Sequence, residues 1–278
     1  MNAAGTQCLA RQLDRPPQRP RSALALAQAD AGAPAVIGSI EPALARRLAG
    51  AGLPLREAGA AWQIHVPEAA AVDPLLARIA RWLHEHDAAD AWRDECLAVV
   101  DDAGAVHGAI ERAAARPLGL ATCAVHLVVH DGGGRVSVQQ RAFDKATDPG
   151  RWDTTVGGLV AAGESVAQTL ARETWEEAGL RIESLPALAD LGRCTVRRPV
   201  QRGFMVERIE MFEAVAPPGA MPVNRDGEVA CFECIDAAAL AGRLQAQAFT
   251  LEASAVLLRW WQRRTSAGGT GLPDPGTS

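Results

Sequence analysis

The sequence predicts an α+β fold built in two units: a small α+β unit over residues 33–118, then a larger unit of strands and helices over 119–265. Three observations predict it. Runs such as ATCAVHLVVH (121–130) and RVSVQQR (135–141) carry the two-residue alternation of strands, whereas other stretches repeat apolar residues every three or four positions. Segments rich in Gly, Asp and Pro punctuate the two kinds of run. With 278 residues, 48% of them hydrophobic, the chain can bury one large core or two modest ones.

Residues 1–32 place Arg11, Arg15, Arg19 and Arg21 among Pro16, Pro17 and Pro20, with no clear apolar core of a signal peptide behind them, so this leader is expected to be disordered. Ser39 to Leu48 reads as a helix ending near Gly50 and Gly52, and AWQIHV (61–66) as a strand. Asp73 followed by Pro74 reads as an N-cap and a first-turn proline, after which Leu75, Leu76, Ile79, Ala80 and Leu83 recur at helical spacing. Residues 95–112 read as two strands about a DDAG turn. Nothing in 33–118 has catalytic spacing; His84 and His86, two apart on a helix, face different directions and read as surface residues.

Arg116 to Gly119 is a short connector. Strands over 121–130 and 135–141 follow, then a polar loop, 142–153, whose flanking Arg141 and Lys145 could hold a phosphate or another anion. Beyond residue 181 come strand-like runs, with RRPVQR (197–202) expected as a loop and 206–216 as a strand. Residues 222–236 read as a turn and a strand opened by Glu228. Two helices follow, the second carrying Trp260 and Trp261 to pack against the sheet, and 266–278 is a tail of disordered composition.

Composition excludes some classes of partner. Lys and Arg number 28 against 33 Asp and Glu, so the net charge of −5 implies no general affinity for nucleic acid. No apolar run approaches the ~20 residues of a membrane span. Six scattered cysteines fit reduced thiols in a cytoplasmic protein, with Cys231 and Cys234 expected in a buried strand.

The stretch that carries chemistry is GLVAAGESVAQTLARETWEEAGL, 158–180. Glu173, Glu176 and Glu177 are spaced i, i+3, i+4, which confines them to an arc of roughly 100° on a helix. Three carboxylates on one face repel unless a cation lies among them, and hard oxygen donors suit Mg²⁺. Ser165 and Gln168 form a capping box, and Gly179 ends the helix. Gly157, Gly158 and Gly163 precede it, in a loop able to approach a ligand closely and to point N–H groups at an anion.

The same stretch resembles the Nudix box, G-x5-E-x7-R-E-U-x-E-E-x-G-U with U apolar. Gly158, Glu164, Arg172, Glu173, Glu176, Glu177, Gly179 and Leu180 fall in place, and Thr174 at the first U position is the one departure. The resemblance implies the Nudix fold, a mixed sheet between helices with the box as loop–helix–loop. It implies Mg²⁺ or Mn²⁺ held by Glu173, Glu176 and Glu177, with Arg172 orienting Glu173, Gly158 shaping the loop and Glu164 supporting it. The substrate would be a small-molecule diphosphate. Glu176, Glu177 and, outside the box, Glu228 remain open as the general base. A homodimer is compatible with the fold, but no residue demands one.

Arg141, Lys145, Pro149, Gly150 and Asp153 before the box, and Asn224, Asp226, Gly227, Glu228 and Val229 after it, resemble a Nudix subgroup related to thiamine pyrophosphokinase. That likeness implies a small N-terminal domain of unassigned role and hydrolysis of damaged thiamine diphosphates to monophosphates. Two alternatives stand beside it: hydrolysis of another nucleoside diphosphate derivative, such as ADP-ribose, a sugar nucleotide or a dinucleotide, and ligand sensing without hydrolysis.

Overall fold

The computed structural model describes residues 9–266 apart from 10, 30 and 31; Cys8 and the tail from 267 onward lie outside the described residues. Ser266, placed in that tail by composition, still belongs to the last helix.

In the N-terminal unit β1 (Ser22–Gln28), β2 (Ala35–Ile40), β3 (Leu55–Ala58) and β4 (Ala61–Val66) form a sheet in the order β2-β1-β4-β3, with β1 and β4 parallel. Strand β1 corrects the expectation of a wholly disordered leader. It lies between two neighbours with Leu24, Ala25 and Leu26 all buried, so it shows a continuous apolar run and lacks the alternation that would reveal it. Helix α1 (Pro42–Gly50) starts later than the spacing suggests, because Ser39 and Ile40 complete β2 and Pro42 fits the first helical turn.

Helix α2 (Val72–Glu85) buries Leu75, Leu76, Ile79, Ala80 and Leu83, the expected stripe. Asp73 does not cap it: the N-cap is Ala71, without a side-chain bond, and the Asp73 carboxylate accepts from the Ala109 amide at 2.8 Å. That bond pins α2 to the hairpin of β5 (Cys96–Val100) and β6 (Val106–Glu111).

The second unit contains β7 (Ala121–His130), β8 (Val136–Arg141), β9 (Trp152–Asp153), β10 (Val156–Leu159), α3 (Val166–Ala178), β11 (Ala189–Val200), β12 (Gly203–Val215), β13 (Val229–Ile235), α4 (Ala237–Gln245) and α5 (Leu251–Ser266). Its seven-stranded sheet runs β11-β12-β7-β8-β13, with β10 paired to β7 and β9 to β8; β7 and β12 are parallel. Central strand β7 is covered on both sides. Val125, Leu127 and Val129 meet Leu170 and Ala178 of α3, while Val128 joins Trp260 and Val256 of α5. The segment 197–202 is a loop only at Gln201 and Arg202, which form the turn into β12. Strand β11 continues through Val200, and Pro199 is tolerated because β11 is the sheet's edge and owes no outward amide bond.

The two units meet through main chain. Ala162, in the loop before α3, donates to Cys96 O at 2.8 Å, and Phe204 donates to Arg116 O at 3.0 Å. Gly203, with φ 142°, lies so close to Arg116 that an added Cβ would overlap its carbonyl. Leu159 packs against the N-terminal core.

Among the described residues no helix is long and apolar enough to cross a membrane. Cys96, Cys123, Cys194, Cys231 and Cys234 are free. Cys231 and Cys234 are exposed rather than buried, because β13 ends the sheet and residues three apart on a strand face opposite ways.

Candidate active site

Helix α3 is fixed at both ends by the local signals in its sequence. Ser165 and Gln168 form the reciprocal capping box, and Gly179 adopts φ 65° at the C-terminus. Thr174 is fully buried, its hydroxyl donating to Leu170 O at 2.6 Å, so this departure from an apolar residue costs the helix no unsatisfied group.

Arg172 organises the acidic face. Its Nε and Nη2 donate to the two oxygens of Glu164, each at 2.9 Å, and Nη1 reaches Glu173 at 2.9 Å and Glu176 at 3.0 Å. The hydrogen bonds from Arg172 hold Glu164 down at about 2. Glu173 lies against the backbone of β10, where a Cβ at Gly158 would overlap its carboxylate, so glycine is required for that approach. Glu177 is buried, and its Oε2 accepts from the Gly157 amide at 2.8 Å and from Gln139 Nε2 at 3.0 Å. Burial pushes Glu173 up to about 7 and Glu177 up to about 8, with the charge of Glu173 adding to the rise at Glu177.

Half-buried Glu173 and buried Glu177 resist ionising together, and a cation placed between them would favour their charged forms. The donors are hard oxygens on one helical face, a set that fits Mg²⁺ or Mn²⁺, and Glu173, Glu176 and Glu177 are the residues that could hold the ion. Among the described residues no three acidic, His or Cys groups are already gathered at ligand spacing, since Arg172 spans Glu173 and Glu176.

Arg172, Glu173 and Glu176 open onto a cavity of about 470 Å³, lined also by Gly157, Gly158, His126, Arg141, Lys145 and Glu228. The two outlying motifs converge on its rim. Lys145 pairs with Glu228, and Ala142 donates to Glu228 O at 2.9 Å. Asn224 Oδ1 accepts from the amides of Asp226 and Gly227, and its Nδ2 donates to Val229 O, which sets the turn that presents Glu228. Arg141 lines the cavity, with Nη1 on Asp153 at 3.2 Å and Nη2 on Thr147 O at 3.1 Å.

Sequence reasoning missed the contribution of the first unit. Arg93, Glu95, Arg112 and Arg116 all line this cavity. They share no motif, and only the chain path brings them over the box. Gln139, the polar partner of Glu177, was also unmarked, being one more residue in an alternating strand.

Residues 121–256 match the family model described as NUDIX domain. The Pseudomonas aeruginosa protein named uncharacterized Nudix hydrolase PA4841 is 39% identical over 87 residues, 31% of this chain and 52% of that protein. Arabidopsis thaliana "Nudix hydrolase 24, chloroplastic" is 29% identical over 152 residues, 54% of this chain and 42% of the relative. The chain thus spans about half the length of the curated relatives it matches. Among solved structures, DR0079 from Deinococcus radiodurans is similar at 23% identity and TM-score 0.47, covering 59% of this chain and 98% of its own. With the family-model match and every box position but that of Thr174 filled as expected, residues 121–256 form a Nudix domain.

Proposed function

We propose that this chain is a divalent-metal-dependent diphosphatase that cleaves a phosphoanhydride with water. The observation that carries the reading is the half-buried Glu173 and the buried Glu177, held against Gly158 and Gly157 beside a cavity bearing Arg141 and Lys145. A Mg²⁺ or Mn²⁺ on Glu173, Glu176 and Glu177 would offset charge on the phosphate oxygens and acidify the attacking water. Gln139 and the Gly157 amide orient Glu177 through one oxygen, which leaves its Oε1 for the ion or for water. Arg172 fixes the rotamers of Glu173 and Glu176. Water forms the new P–O bond, the anhydride P–O bond breaks, and the proton passes to a carboxylate. Glu228 is suited to that step: a substrate phosphate that drew Lys145 away would free its carboxylate at the cavity rim.

The substrate we favour is an oxidised or otherwise damaged thiamine diphosphate, converted to its monophosphate. Support comes from the convergence of Lys145, Asn224 and Glu228 at one rim, since these residues carry the likeness to the thiamine-related subgroup. Purified protein with Mg²⁺, assayed on thiamine diphosphate, oxythiamine diphosphate, ADP-ribose and diadenosine polyphosphates beside Glu177→Gln, tests both levels. The highest kcat/KM on oxythiamine diphosphate, with an inactive variant, is expected. A nucleotide in first place removes the thiamine assignment, and no turnover with any divalent metal removes the diphosphatase.

A further inference from the structure

The unit of residues 22–118 does more than flank the box. Arg93, Arg112 and Arg116 line the cavity over Glu173 and also a second cavity of about 780 Å³ that extends between the two units. Ala146, Thr147 and Glu207 also line both, so the two spaces adjoin in the cleft between the units. Their volumes lie in the range of sites that take a coenzyme-sized molecule.

The arginines keep donors to spare. Arg112 uses Nη1 on Glu95 at 2.6 Å, and Arg116 uses Nη1 on Asp90 at 3.1 Å and on Thr147 at 3.4 Å, from the five N–H groups each guanidinium owns. Among the described residues the Arg93 guanidinium has no hydrogen bond or ion pair, although its amide is anchored on Glu111 at 2.8 Å. An exposed cation held by its backbone at the mouth of an acidic site, with no protein anion taking it up, is placed for a ligand anion.

The wall is also fixed in position. The Ala162–Cys96 and Phe204–Arg116 main-chain bonds join it to the box loop and to β12, and the close approach at Gly203 locks the second joint. A bidentate grip needs that rigidity, since planar guanidinium recognition is lost with small displacements.

We propose that Arg93, Arg112 and Arg116 form the far wall of the substrate site and grip the phosphates of an organic diphosphate whose non-reacting group occupies the cleft between the units. This rests on the diphosphatase reading for the identity of the ligand. It makes the first unit a component of the active site and the source of discrimination by substrate size.

The test separates the grip from the reaction. Inorganic diphosphate and thiamine diphosphate are titrated calorimetrically into the full chain in EDTA, where no metal contributes. Wild type is compared with Arg93→Gln/Arg112→Gln, with Arg93→Lys/Arg112→Lys, and with Arg46→Gln on the exposed side of α1. The double glutamine variant should lose about tenfold or more in affinity for both probes, the lysine variant should recover part of it, and Arg46→Gln should bind as wild type. Steady-state kinetics on the best substrate should show the loss chiefly in KM. Equal affinity of wild type and the double glutamine variant, or no binding by wild type, overturns the proposal. Arginine-dependent binding without turnover keeps this wall and sinks the hydrolase; turnover with an unchanged KM in the double variant keeps the hydrolase and sinks the wall.

Discussion

Helix α3 and the arginine wall reach the same cavity by opposite routes. The helix carries its function in spacing: Glu173, Glu176 and Glu177 must share a face, so the pattern is readable along 23 consecutive residues, 158–180. The wall carries its function in placement. Arg93 lies before a hairpin and Arg112 and Arg116 after it, on a short 3₁₀ turn and a connector, and only the joints at Ala162 and Phe204 turn them toward the box. Chemistry that depends on one local element leaves a motif, whereas chemistry assembled across two units leaves none.

The largest expected effect breaks the motif side of this contrast. Glu173→Gln removes a carboxylate that sits under Gly158 and accepts from Arg172, yet preserves the side chain's shape. Its kcat/KM should fall by more than about a hundredfold, beyond the range seen for residues that merely support metal ligands. The fold should survive, because the variant relieves a carboxyl that burial already pushes up to about 7. Retained activity in a well-folded Glu173→Gln protein would strip the box of its role.

Gly203→Ala tests the placement side. A methyl there would overlap Arg116 O, and φ 142° strains any residue with a Cβ. A loss of about 1–3 kcal/mol in urea denaturation is expected, the range for stored backbone strain. Activity should fall as well, because Arg116 would be displaced from the cavity, even though no box residue is touched. A variant that loses stability but keeps wild-type KM would mean that the box works without its far wall.

How much could be read beforehand follows the same division. The capping box, the Gly179 terminus and the Glu173–Glu177 face were legible because each is set by neighbours within one helix. Strand β1 was not, since a central strand buried on both faces reads as a featureless apolar run. Asp73 was misread for a related reason: its partner is Ala109, 36 residues away, and an acid at a helix start resembles a cap whether or not it acts as one. The end of edge strand β11, within 197–202, looked like a loop because Pro199 with Arg197, Arg198 and Arg202 carries loop composition.

A smaller effect is expected from pH. Glu173 and Glu177 are raised to about 7 and about 8, against the ordinary glutamate value of 4.5 in the unfolded chain. The folded chain therefore holds protons that the unfolded chain has released. The stability this confers is full below about pH 4.5 and is lost as pH rises through 7 and 8. Thermal melts in EDTA should show Tm falling across that window. Added Mg²⁺ should raise Tm more at pH 8.5 than at pH 6, because the ion replaces the departing protons. A Tm that rises with pH in EDTA would contradict the assignment of these carboxyls as a charge-crowded pair.

The smallest effect belongs to a pair of cysteines with neither spacing nor placement behind it. Cys231 and Cys234 sit on edge strand β13, exposed and on opposite faces, so no single ion or disulfide can join them without rebuilding the strand. The contact from Cys231 Sγ to Gln140 Oε1, at 3.5 Å, is weak. Cys231→Ser/Cys234→Ser should leave stability within about 0.5 kcal/mol of wild type and kcat/KM unchanged. Because β13 also leads out of the turn that presents Glu228, this null result would be informative: it would show that the strand serves the site through the Asn224–Val229 turn and the Ala142–Glu228 bond at its start, and not through its thiols. A variant with altered kcat/KM would instead tie the exposed edge of β13 to the position of Glu228.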